Sequence, residues 1–245
     1  MLDKNKIYLG DCLELMKEIP DKSVDCILTD PPYGITACKW DVKLDLEAMW
    51  RELKRIRKDS CNIVIFSKQP FTTDLIVSNR KEFRYELIWN KERGTNFANC
   101  NEKPMPCHEN ILLFGKKNVY NPQFRQGKPY IIKHKQYKIS KSNPVASRPF
   151  VQISDGKYYP ISIISFGRTS LEKHPTQKPI KLINYLIKTY SNETMLILDP
   201  FSGSGTTAVA CHELNRNFIC IEKEEQYYKM SCDRLEKAKQ QGRLL

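Results

Sequence analysis

The sequence predicts an α/β fold, a largely parallel sheet with helices on both faces. Three observations carry this. Short apolar runs recur along the 245-residue chain, several of them end in an acid, and the stretches between them repeat apolar residues at helical spacing. The first run, Val24 to Leu28, reads as a strand ending at Thr29-Asp30. Leu46, Met49, Leu53 and Ile56 then share one side of a helix over 46–56. Further strands are predicted at Asn62 to Phe66, Glu86 to Trp89 and Asn110 to Phe114. Pro179 suits a helix start, and Leu182, Ile183, Leu186, Ile187 and Tyr190 continue that helix on one face. Met195 to Leu198 runs into Asp199, and a glycine turn leads to a helix over 206–214. Phe218 to Ile221 runs into Glu222, and Tyr228, Cys232 and Leu235 mark one face of a charged C-terminal helix.

Composition narrows the class. Hydrophobic residues make up 40% and aromatics 10%, enough for a packed core and too much for a disordered chain. No apolar run approaches the roughly 20 residues of a membrane span, and the first residues mix charges with apolar side chains, unlike a secretory signal. We therefore expect a soluble, cytoplasmic protein without a membrane partner. Nine cysteines with no CxxC pair fit reduced thiols. The loose trio Cys100, Cys107 and His108 lacks the tight pairs and fourth ligand of a zinc site, so no metal is expected.

Charge is unevenly placed. Between Lys116 and Arg168 eleven Lys or Arg face one acid, Asp155, so this stretch carries +10 of the net +12. Prolines, Ser, Asn and aromatics such as Tyr120, Phe124, Tyr130, Tyr137, Phe150, Tyr158 and Tyr159 interrupt the helix and strand rhythm there. The segment reads as an inserted loop-rich or small β subdomain, and its charge as the footprint of a polyanion, nucleic acid above all. Lys128, Lys133, Lys135, Lys138, Lys141 and Arg148 are the candidate contacts.

Two corners carry candidate chemistry. Asp30-Pro31-Pro32-Tyr33 follows the Val24 to Leu28 strand, where ligand-facing residues of open α/β sheets lie. Two prolines fix φ and remove N–H donors, leaving carbonyl acceptors beside the Asp30 carboxylate and the flat Tyr33 ring. Such a set can accept both N–H groups of an aromatic amine, whose lone pair is otherwise delocalised, while Tyr33 stacks on its ring. A base inside a duplex would have to be flipped out to reach it. The second corner is Asp199-Pro200-Phe201-Ser202-Gly203-Ser204-Gly205-Thr206-Thr207, again after a strand. Its glycines permit close backbone approach and its helix start offers free N–H groups. Glu222, 23 residues beyond Asp199, stands where an acid commonly accepts from ribose hydroxyls. A phosphate loop is excluded because no Gly-Lys-Ser/Thr closes the turn, and Thr206-Thr207-Ala208 replaces the third glycine of a dinucleotide site. A neutral loop between two acids suits a cationic, carboxylate-bearing nucleoside such as S-adenosylmethionine.

These segments resemble the amino DNA methyltransferases, which modify N6 of adenine or N4 of cytosine. Asp30 to Tyr33 is similar to their catalytic motif, and Phe201 to Gly205 to their Phe-x-Gly-x-Gly cofactor motif. His174-Pro175-Thr176-Gln177-Lys178-Pro179 resembles the segment that helps hold the cofactor's methionine part, and Gly10-Asp11-Cys12 the motif whose Asp approaches the cofactor adenine. Pro106 to Phe114 resembles a late motif of the catalytic half. The catalytic motif precedes the basic insert and the cofactor motif follows it, the β-type permuted order.

The resemblance implies a Rossmann-like class I S-adenosylmethionine-dependent methyltransferase fold, circularly permuted, with a mixed seven-stranded sheet containing one antiparallel strand. It divides the chain into a catalytic half over 1–115, a target recognition region over 116–168 and a cofactor-binding half over 169–245. Asp30, Pro31, Pro32 and Tyr33 are then catalytic. Asp11, Thr176, Lys178, Asp199, Phe201, Ser202, Gly203, Ser204, Gly205, Thr206 and Glu222 are cofactor-binding. Asp rather than Ser at position 30 is the form associated with adenine, with N4 of cytosine and, further off, RNA as alternatives. The implied partner is double-stranded DNA. A homodimer and a cognate restriction endonuclease are compatible further partners. The segment from Gly34 to Asp41, with Trp40, is a candidate cover for a flipped base.

Overall fold

The computed structural model describes all residues except 35–40, 42, 96, 117–118, 135–148, 168–176 and 243–245. Trp40, Thr176, Lys135, Lys138, Lys141 and Arg148 therefore lie outside the described residues. Among the described residues, twelve strands and six α-helices follow in chain order. They are β1 (Lys6–Leu9), α1 (Cys12–Met16), β2 (Val24–Thr29), α2 (Leu46–Ile56), β3 (Arg57–Ser67), α3 (Phe71–Ser78), β4 (Phe83–Asn90), β5 (His108–Phe114), β6 (Arg125–Gln126), β7 (Tyr130–His134), β8 (Phe150–Ser154), β9 (Lys157–Tyr158), β10 (Ile163–Ser165), α4 (Ile180–Tyr190), β11 (Leu196–Asp199), α5 (Thr206–Glu213), β12 (Asn217–Glu222) and α6 (Glu225–Gly242). The chain divides into two compact units, 1–121 with 162–245, and Pro122–Ile161.

The larger unit is built on an eight-stranded sheet in the order β1-β12-β11-β2-β3-β5-β4-β10. Among its pairings only those of β5, with β3 and β4, are antiparallel. The seven-stranded expectation is corrected by β10. Ile163 to Ser165 adds in parallel to the outer edge of β4, and the Ile88 N–H donates to the Ser162 carbonyl at 2.8 Å. The three-residue β10 is too short to show a period of two, so sequence patterning cannot reveal it. Residues 162–166 of the segment read as insert thus belong with the main sheet.

Side chains of the central strands alternate between two cores. In β3, Val64 and Phe66 join Leu182, Ile183, Leu186, Ala208 and Leu235 of α4, α5 and α6. Cys61, Ile63 and Ile65 join Met16, Met49, Leu53, Ile56 and Leu75 of α1, α2 and α3. β5, β11 and β12 split in the same way, which is why these strands read as unbroken apolar runs. Asp45 caps α2 by accepting from the Ala48 N–H at 3.0 Å. Asn62, buried in β3, donates to the carbonyls of Val119 and Tyr190 at 2.8 and 2.9 Å, tying the end of α4 to the sheet.

The smaller unit holds two antiparallel strand pairs, β6 with β9 and β7 with β8. Aromatic contacts stand in for a core. Phe124 and Tyr159 lie 4.9 Å apart, Tyr130 and Tyr158 5.9 Å apart, and the Lys157 ammonium sits 4.2 Å over the Phe124 ring. Lys128 and Lys133 are exposed.

Candidate active site

The described site residues emerge at one edge of the large sheet. The carboxyl ends of β1, β12, β11, β2 and β4 lie there, together with the amino end of the antiparallel β5. β11 and β2 are parallel neighbours whose connections run outward in opposite directions, the kind of crevice in which open α/β sheets bind ligands. The two predicted corners are stitched together at this point. The Thr29 hydroxyl, next to Asp30, donates to the Asp199 carboxylate at 2.7 Å. A cavity of about 460 Å³ is lined by Asp30 to Tyr33 from one corner, and by Asp199, Phe201 to Ser204, Thr206 and Glu222 from the other, together with Asp11 and Lys178.

At the proline corner, Tyr33 is locked on several sides. Its hydroxyl donates to Asp30 Oδ1 at 2.6 Å, and its ring stacks on Phe71 of α3 at 5.4 Å. The N–H groups of Tyr33 and Gly34 both donate to Asp41 at 2.7 Å. The other Asp30 oxygen accepts from the Lys178 ammonium. Lys178 also lies 3.4 Å from Glu109, and its charge sits 5.0 Å over the Phe66 ring. Glu109 in turn accepts from Lys91 at 2.5 Å. The Asp30 carboxyl is held above its ordinary range, by burial first, with Lys178 opposing.

At the glycine corner, Asp199 spends its carboxylate inside the protein. It accepts from Thr29, from Thr207 at 2.6 Å and from the Phe201 N–H at 3.2 Å. Burial pushes its carboxyl up to about 6 against these hydrogen bonds. Gly203 and Gly205 adopt φ of +53° and +75°. A Cβ on Gly205 would lie 2.6 Å from Ser231 Cβ of α6, so the residue permits both the turn and the close helix packing. A Cβ on Gly203 would meet nothing within 4 Å, since it faces open space. Glu222 accepts from the Gly203 and Glu224 N–H groups at 2.7 and 2.8 Å. Burial raises its carboxyl, with those amides opposing. Asp11 caps α1 through the Leu13 N–H at 2.9 Å and lies 3.2 Å from Lys223.

Lys178 and Asp199, both expected to bind the cofactor, line the shared cavity. The Lys178 ammonium lies between Asp30 and Glu109, where the ends of β2 and β5 converge. The Asp199 carboxylate accepts from Thr29, Thr207 and the Phe201 N–H. Other members had no sequence assignment. Arg234 of α6 donates to the Ser204 carbonyl and hydroxyl at 2.5 and 2.9 Å and fixes the glycine turn from behind. It is one cation among many on a charged helix, so nothing local marks it. Lys91 likewise lies outside every motif, and Glu109, inside the Pro106 to Phe114 segment, is singled out only by its ion pairs.

Fold and site together define a class: a Rossmann-like enzyme with a nucleoside-sized cleft between an acid-bounded glycine turn and an acidic proline corner. Comparison with known proteins narrows it. Residues 24–233 match the family profile described as DNA methylase, which groups the N6 and N4 enzymes, and the chain belongs to this family. It is 28% identical to the Type II methyltransferase M.HinfI of Haemophilus influenzae, over 96% of this chain and 69% of that one. It is 30% identical to the DNA adenine methyltransferase YhdJ of Escherichia coli, over 95% of this chain and 83% of that one. The crystal structure of the M1.HpyAVI-SAM complex superposes with a TM-score of 0.63 at 27% identity, over 94% of this chain and 99% of that one.

Proposed function

We propose that this DNA methyltransferase transfers a methyl group from S-adenosylmethionine to N6 of adenine in duplex DNA, acting on a flipped-out base. The observation that carries the reading is the shared cavity. The two corners that the chemistry requires line one space, joined by the Thr29–Asp199 hydrogen bond.

The residues present fit the cofactor. Gly203 leaves open space where any side chain would intrude, and the Ser202 hydroxyl oxygen is buried without a hydrogen-bond partner. Glu222 and Asp11 supply acceptors for the ribose and adenine groups, and the turn from Ser202 to Thr206 faces the methionine carboxylate with the N-terminus of α5. When bound, the cofactor supplies an electrophilic methyl group. Asp30 and the Pro31 carbonyl accept the two N–H groups of the target amine and turn its lone pair outward, while Tyr33, backed by Phe71, is the flat wall for the base. Fixed acceptors and positioning provide the rate gain. Lys128, Lys133, Lys135, Lys138, Lys141 and Arg148 of the basic segment contact the DNA phosphates.

Expression in a methylation-free bacterium, followed by digestion of its DNA to nucleosides and mass analysis, tests the reading. N6-methyladenine is the expected product. N4-methylcytosine in its place would overturn the adenine reading in favour of the alternative target, and the absence of both modified bases would overturn methyl transfer to DNA altogether. Asp30→Ala should abolish transfer while S-adenosylmethionine still binds; full activity in that variant would remove Asp30 from the chemistry.

A further inference from the structure

Two carboxylates share one ammonium in the wall of the cavity. Asp30, after β2, accepts from Lys178, and Glu109, near the start of β5, lies 3.4 Å from the same nitrogen. Lys91, after β4, grips Glu109 from the other side at 2.5 Å. The second Glu109 oxygen is the one that faces Lys178; it is buried and meets that ammonium as the 3.4 Å ion pair. The side chains of Glu109, Lys91 and Lys178 are 12%, 11% and 9% exposed, whereas Asp30 is 25% exposed. Asp30 is therefore the carboxylate of the pair more open to the cavity. Among the described residues, Tyr33 from the same turn, Asp41 beyond it, Lys68 after β3 and Asp199 at the end of β11 are the other charged or titratable groups that act on this cluster.

We propose that Glu109 is a positioning residue for methyl transfer: by sharing Lys178 with Asp30 and adding its own negative charge, it makes Asp30 the acceptor of the proton that the target amine must lose. This rests on the amino-methyltransferase reading above. As the amine nitrogen forms its bond to the methyl carbon, the carbon–sulfur bond of the sulfonium would break with its electron pair left on sulfur, and one N–H proton becomes surplus. An Asp clamped alone by a lysine is a poor base, because an adjacent ammonium favours its ionised form. Dividing that ammonium between two carboxylates weakens the clamp. The two groups are driven apart accordingly. Burial first, and Glu109 in addition, hold Asp30 above its usual range against Lys178. Burial acts to raise Glu109 as well, but Lys178 and Lys91 outweigh it and hold Glu109 below its usual range. Such a split marks one carboxylate as the base and the other as the fixed charge. The proton leaves Asp30 for solvent through its exposed edge.

The test is a carboxyl-carbon NMR titration of Asp30 in the cofactor-free protein, assigned with Asp30→Asn, beside the pH profile of single-turnover methyl transfer. Glu109→Gln should lower the Asp30 midpoint and move the acid limb of the profile down, by on the order of one pH unit. Lys91→Met leaves Glu109 less compensated and should move both upward. Glu109→Asp should restore the original profile, and the KM for DNA should change little in all three. An Asp30 titration unmoved by Glu109→Gln, or one that Lys91→Met moves downward, overturns the proposal. If Glu109→Gln fails to fold, the direction given by Lys91→Met decides. If the protein methylates no base, the functional reading falls, while the titration still decides the Asp30–Glu109 coupling.

Discussion

Glu222 has both carboxylate oxygens on backbone amides, one in the glycine turn and one after β12, so its orientation is set before any ligand arrives. Glu222→Ala removes both the acceptor and the brace. The Kd for S-adenosylmethionine should rise roughly tenfold or more, the equivalent of one hydrogen bond to a charged group at about 1.5 kcal/mol or above. Calorimetry checks this, and an unchanged Kd would place the ribose elsewhere. Asp199 is a different kind of acid. Its folded carboxyl sits at about 6 because it is buried, above the ordinary aspartate value of 3.8. Between those values the folded chain keeps a proton that the unfolded chain has released, so this residue's contribution to stability falls as pH rises through the window. Above about 6 the penalty is complete and constant. Asp199→Asn never incurs it. That variant should melt above the parent at pH 7.5 and lose the relative gain by pH 4, as thermal unfolding at the two pH values will show.

At the scale of elements, strength lies where two cores meet on one strand. Leu53 of α2 is fully buried among Met49, Ile56 and the β3 side chains. Leu53→Ala should cost about 2–5 kcal/mol in denaturant unfolding, the usual range for a buried leucine. The elements differ in how visible they were. Helix 46–56 was legible to the residue, because its apolar spacing runs for three turns and Asp45 caps it. β3 was read short, since its first residues, Arg57 to Ser60, are polar and precede the apolar run. β1 and α1, four and five residues long, are too brief for any period to emerge. α3 carries β-branched residues and lacks a side-chain cap, so local propensity does not announce it.

For the whole molecule, the proposed docking of DNA on the basic segment has a consequence that salt reveals. The compact unit Pro122–Ile161 has exposed Lys128 and Lys133 among the described residues. Phosphate contacts release counterions, so DNA affinity should fall steeply as salt rises. Replacing Lys128 and Lys133 together with alanine should reduce the slope of log K against log salt by about 2, roughly 0.9 for each lost contact. Fluorescence anisotropy over a salt series measures it, and an unchanged slope would move the docking surface away from these residues.

The α/β class, six of the strands, four of the helices and the two corners that line the cavity were legible from local pattern alone. Apolar period, acids at strand ends and glycine turns are properties of neighbouring residues, and a one-dimensional reading captures them. The resemblance then supplied the family, which the match over residues 24–233 shows, and implied the permuted order. Tertiary structure decided the rest. Pairing of β10 with β4 depends on backbone groups from segments far apart in sequence. Lys178 meets Asp30 across 148 residues, and Thr29 meets Asp199 across 170. Whether a buried lysine serves a cofactor or a carboxylate depends on which strand ends converge around it, and a charge has no sequence signature for its partner. The chain's order therefore specified what each corner can do, while the sheet's closing of distant ends specified which groups act together.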